Sequence, residues 1–162
     1  MVNRRSMKAI RIGATAVEMA IVLPLLFMLT FGLVVGGIGI FRYQAVASLA
    51  REAARYASVH GTNYQLDTAS GAVTKVNIYD AAIVPQASGL DLTQLTYSIF
   101  YNGATSGVDW DSATHAPQYV STTSGGTPKT ASVTVTVNYS WAAPLYFGTI
   151  TLTSTSEMPM SY

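Results

Sequence analysis

Two places in this 162-residue chain bring together side chains able to do chemistry: Gly13, Ala14 and Glu18 near the N-terminus, and Asp109 with Asp111 in the second half. The Gly13-Ala14 bond joins two small residues and is open to a peptidase. A cut there gives Ala14 an α-amine, of ordinary pKa about 7.7 to 8.0, one helical turn before Glu18. Such an amine on a neighbouring subunit, shifted along the helix, can meet the Glu18 carboxylate and set a register. Asp109-Trp110-Asp111 places two carboxylates on one side of an extended segment, a pattern suited to a cation, a sugar or an anchored hydrolase. Paired acids specify such chemistry only with further ligands or an acid/base partner, and a solvated loop is the simpler reading. His60 and His115 stand far apart and neither lies in an HExxH-like motif; no phosphate-cradling glycine loop or serine elbow is present. Cysteine is absent, which removes disulfide and thiolate chemistry. The expectation is a protein that is not an enzyme, with no cofactor, no metal, no small-molecule substrate and no nucleic-acid partner.

The element that must position Glu18 is an apolar run. From Met19 to Phe41 there are 23 residues without a charge, roughly 34 Å as a helix, enough to cross a hydrocarbon core of about 30 Å. Arg4, Arg5, Lys8 and Arg11 precede it with no acid. Four of the nine basic residues thus lie before Gly13, leaving five against eight acids in the remainder. That asymmetry predicts a cytoplasmic N-terminus and a translocated C-terminal part. Three processing schemes compete: a secretory signal cut near Ala45-Val46-Ala47, for which the apolar run is too long; an uncleaved single-pass anchor; and a cut after Gly13. Only the third gives Glu18 a partner, against a cost of about 2.5 to 3.5 kcal/mol for a carboxylate at mid-membrane. A carboxylate resting at headgroup depth is the alternative.

Within the run, Pro24 lacks an N–H and frees the carbonyl of Ala20, which predicts a kink or local unwinding. Gly32 and Gly36 have the GxxxG spacing that lets helices approach closely. Nothing between Phe41 and Ser58 stops a helix. Val46, Leu49, Ala50, Ala53, Ala54 and Ala57 fall on one stripe, so the helix is expected to continue to about His60 with Gly61 as its stop. Arg51, Glu52 and Arg55 form the polar side.

These residues carry a resemblance. A short basic leader, Gly13 before the cut, small Ala14 after it and Glu18 at the fifth position of an apolar helix resemble the class III signal of type IV pilins. Val17-Glu18-Met19-Ala20, then Pro24-Leu25-Leu26, then LAREAARYAS at 49 to 58 resemble the TadE-like pseudopilin family over residues 12 to 60. Ala14 in place of the phenylalanine of major pilins favours a minor pseudopilin. The resemblance implies an α+β, pilin-like fold, with a long N-terminal helix packed on a small antiparallel sheet of about three strands. It implies cleavage by a prepilin peptidase and assembly into a Tad-type pilus used for adherence. Its implied partners are that peptidase, an inner-membrane platform and assembly ATPase, other minor pseudopilins and the major pilin. The corresponding organisation is a leader at 1 to 13, a transmembrane helix at 14 to 41, an amphipathic continuation at 42 to 60 and a periplasmic or extracellular domain at 61 to 162. The implied location is the bacterial inner membrane, with passage into a pilus. The competing reading is an uncleaved membrane-anchored binding module, presenting Tyr101, Trp110 and Tyr119 to a surface, although such aromatics are more often packing or turn residues.

In the exported part, residues 61 to 72 read as a loop. Val76, Tyr79, Ala82 and Ile83 predict a short helix over about 73 to 84 closed by Gly89. Leu95 to Tyr101, Val133 to Trp141 and about Phe147 to Met158 alternate as strands, with a long Gly/Ser/Thr loop from Asn102 to Lys129.

Overall fold

The computed structural model describes residues 4–69, 71–101, 107–112, 122–124, 127–129, 131–144 and 148–161. His115, Tyr119 and Phe147, and most of the Asn102 to Lys129 connection, lie outside them. The chain divides into two compact units, Met1–Gly39 and Ile40–Tyr162.

Helix α1 covers Arg4–Val59 and runs through Pro24 without interruption. In the first unit its apolar side chains are exposed at every phase of the turn: Ile21, Leu25, Met28 and Leu33 are each at least 70% accessible. A helix apolar all round belongs in lipid or inside a bundle. Its length and composition suit a single-pass membrane anchor.

In the second unit α1 changes character. Val46, Leu49, Ala50, Ala53, Ala54 and Ala57 are completely buried, the stripe expected from their spacing. Leu49 and Val46 each contribute about 1.5 to 3 kcal/mol of burial, while the four alanines add little area but let the backbone come close to its neighbours. Ala45-Val46-Ala47 lies within this packed helix, so a signal-type cut there would remove part of the core. The helix ends at Val59. The His60 backbone N–H reaches back to Ala57, and its ring Nδ1–H donates to the Tyr56 carbonyl at 2.7 Å, satisfying a terminal carbonyl.

Residues 61 to 72 are not simply a loop: Gly61 precedes a helix α2, Thr62–Thr68. Its sequence is weakly helical, and it is held by packing of the Tyr64 ring on His60, centroids 4.4 Å apart. The next helix begins at Lys75 rather than Val73, because Thr74 and Asn77 form a capping box there. This α3, Lys75–Ile78, widens into a π turn at Tyr79–Ile83 and tightens to a 3-10 turn at Val84–Gln86, which contains Pro85. The wide turn shifts the phase, so Ile78 and Ile83, five residues apart, are the buried pair, with Ala82. Val76 is left exposed, contrary to the simple 3.6-residue pattern.

The sheet has four strands rather than three among the described residues, in the order β2-β1-β5-β6: β1 Leu95–Tyr101, β2 Val108–Asp109, β5 Ser132–Ala142 and β6 Thr149–Pro159. All pairings are antiparallel. A separate two-stranded hairpin joins β3, Thr122–Ser124, to β4, Thr127–Lys129. Val133, Val135, Val137, Tyr139 and Trp141 of β5 are all buried, the alternation of a central strand with one face in the core, broken only by Thr134, which is buried on the other face. The opposite face carries rungs of polar side chains, Thr136 to Thr155 at 3.0 Å and Thr153 to Asn138 at 2.7 Å. The fold is therefore α+β and pilin-like, a long N-terminal helix whose second half packs with a small antiparallel sheet.

Candidate functional site: the N-terminal helix and its docked continuation

Gly13 and Ala14 lie within α1, one helical turn before Glu18. Glu18 is exposed, and among the described residues it has no ion-pair partner. Gly32, Gly36 and Gly37 leave open surface: a Cβ added at any of them meets no heavy atom within 4 Å. Among the described residues, nothing packs closely on these glycines. Thr30 returns its hydroxyl to the Leu26 carbonyl at 2.8 Å and so presents no free donor to lipid.

In the docked half of α1, Arg42 is the first charge after the apolar run. Its guanidinium donates to the Tyr139 hydroxyl at 2.8 Å and lies 5.7 Å from the ring centroids of both Tyr139 and Trp141. At the other end, the Ser161 N–H, just past the last strand, donates to the Ser58 carbonyl at 3.1 Å and ties the C-terminal segment to the end of α1. Glu52 and Arg55, three residues apart on the polar side, pair through two hydrogen bonds of 2.5 and 3.0 Å. The Arg55 hydrogen bond holds the Glu52 carboxyl below its usual range.

Asp109 and Asp111 are already occupied. Lys75 Nζ contacts Asp109 at 2.9 Å and Asp111 at 3.8 Å, and the Lys75 backbone N–H donates to Asp111 at 2.9 Å. The pair fastens the start of α3 to the segment at 107–112. Trp110 is 3% exposed, with its indole N–H donating to the Val73 carbonyl at 2.7 Å. It is a core residue, not a surface aromatic, which removes it from the binding-module reading. No group of three or more metal-type ligands occurs among the described residues. Sequence reasoning missed Arg42 as a site residue; its only signal was its place directly after Phe41.

An apolar helix long enough to cross a membrane, continuing into a small α+β domain, is a pilin-like arrangement. Residues 13–55 match the family described as TadE-like protein, which bears out the resemblance seen in the sequence over that stretch. No curated protein and no solved structure matches the chain.

Proposed function

We propose that this chain is a minor pseudopilin: inserted with its N-terminus cytoplasmic, cut by a prepilin peptidase after Gly13, and incorporated through α1 into a Tad-type pilus used for adherence. The observation that carries this reading is the TadE-like match, which begins at Gly13 and contains Glu18. The leader's four positive charges support the orientation. Glu18, in an apolar setting, takes the new α-amine of a neighbouring subunit and fixes the stagger between helices. Pro24, which frees the Ala20 carbonyl although α1 passes through it unbroken here, is the point at which the helix bends on assembly, and Gly32 and Gly36 give the close helix approach. The partners are the peptidase, the inner-membrane platform with its ATPase, the other minor pseudopilins and the major pilin; the domain after α1 faces the periplasm. Gly13→Leu is expected to leave a full-length precursor in the membrane of peptidase-containing cells and to abolish pilus output. Normal pilus output from this variant would overturn the reading and favour an uncleaved anchor.

A further inference from the structure

Arg42 and Asp91 converge on one hydroxyl without neutralising each other. The Arg42 guanidinium donates to Tyr139 Oη at 2.8 Å, and the Asp91 backbone N–H approaches the same oxygen at 3.4 Å. Neither charge has an ion-pair partner among the described residues. The Asp91 carboxylate is fixed by the N–H and hydroxyl of Thr93, at 3.0 and 2.8 Å, through one of its oxygens, Oδ1. Those hydrogen bonds hold its pKa below the usual range and keep it anionic. Both residues line a cavity of about 340 Å³ whose wall also carries Gln94, Ser140, Trp141 and Thr149. The cavity thus offers a fixed cation, a fixed anion and neutral hydrogen-bonding groups in a space large enough for a small polar ligand.

Its place in the chain says where that ligand is found. Arg42 follows directly on Phe41, the last residue of the uncharged run, and the flanking Phe41 and Tyr43 are 71% and 48% exposed. Exposed aromatics beside the first charge after a span mark headgroup depth. A ligand there that carries one negative and one positive group matches the chemistry of the pair: phosphate on the guanidinium, ammonium on the carboxylate.

We infer that the cavity between Arg42 and Asp91 binds the aminoethyl-phosphate headgroup of a zwitterionic phospholipid. The inference rests on the reading of α1 as a membrane span. The test uses the full chain in nanodiscs of equimolar phosphatidylethanolamine and phosphatidylglycerol, with retained lipids identified by native mass spectrometry. Wild type is expected to retain the ethanolamine lipid about threefold in excess. D91N, which keeps an acceptor for Thr93 but loses the anion, should bring the ratio to one, and R42Q should lose retention of both lipids. An even ratio in wild type, or one unchanged in D91N, overturns the inference. A chain that fails to enter nanodiscs at all overturns the membrane reading instead. Binding of soluble O-phosphoethanolamine in detergent, without lipid enrichment in nanodiscs, would make the ligand a soluble phosphorylated amine and overturn the lipid assignment.

Discussion

The Lys75 ammonium, held first by its hydrogen bond to Asp109, has a pKa raised above its ordinary 10.5. A raised folded-state pKa gives a contribution that is complete below about 10.5 and is lost as pH rises through the folded value. Tyr97, whose phenol is pushed up chiefly by burial, acts in the same direction. Glu52 is lowered, so its contribution is present above its unfolded value near 4.5 and is lost as pH falls through the folded one. The melting temperature of the full chain in detergent should therefore fall on the alkaline side above about pH 10.5. K75M should flatten that limb and lower the neutral plateau by an amount corresponding to about half a kcal/mol after solvent screening; an unchanged alkaline limb in both K75M and Tyr97→Phe would contradict the assignment. Glu18 behaves differently, since its proposed partner lies on another subunit. Glu18→Leu should insert normally and yet yield about tenfold fewer pili by shear and blot, the order expected for losing a charge-assisted contact in lipid; unchanged output would remove its register role.

At the scale of the element, the two halves of α1 answer to different neighbours. Ala53 is fully buried against the domain, so Ala53→Leu should overpack that seam at a cost of about 1 to 3 kcal/mol, read as a lower melting temperature. A Cβ added at Gly36 meets no heavy atom within 4 Å among the described residues. Gly36→Leu should leave the melting temperature unchanged while reducing co-purification with other pilus subunits; a matching loss of thermal stability would mean that the glycine serves this chain's own fold. The alanine stripe and the β5 valines were legible because each follows one period with one buried face. Strand β2, helix α2 and the π turn were not. The first is two residues long, the second depends on a ring contact with His60, and the third breaks the 3.6-residue phase that a sequence reader must assume. The burial of Trp110 has no local signal, since the carbonyl that accepts its indole N–H, that of Val73, lies 37 residues away. Arg42 meets Tyr139 across 97 residues, so the cavity could be found only in three dimensions. Gly13, Ala14 and Glu18 stood out because a carboxylate in an apolar run is conspicuous without any fold.

For the whole molecule, the chain joins a basic leader, an apolar helix exposed on all sides and a domain that buries the helix's continuation. The fold buries the alanine stripe of α1 and one face of β5, while the apolar side chains of the first part of α1 stay exposed. In the proposed scheme, removal of residues 1 to 13 takes away four basic side chains and puts an α-amine one turn before Glu18. The most direct test is the N-terminal sequence of the wild-type protein recovered from membranes of cells that contain the peptidase. The account predicts a mature chain beginning at Ala14; a protein that retains Met1 or any other part of the leader through Gly13 would contradict it.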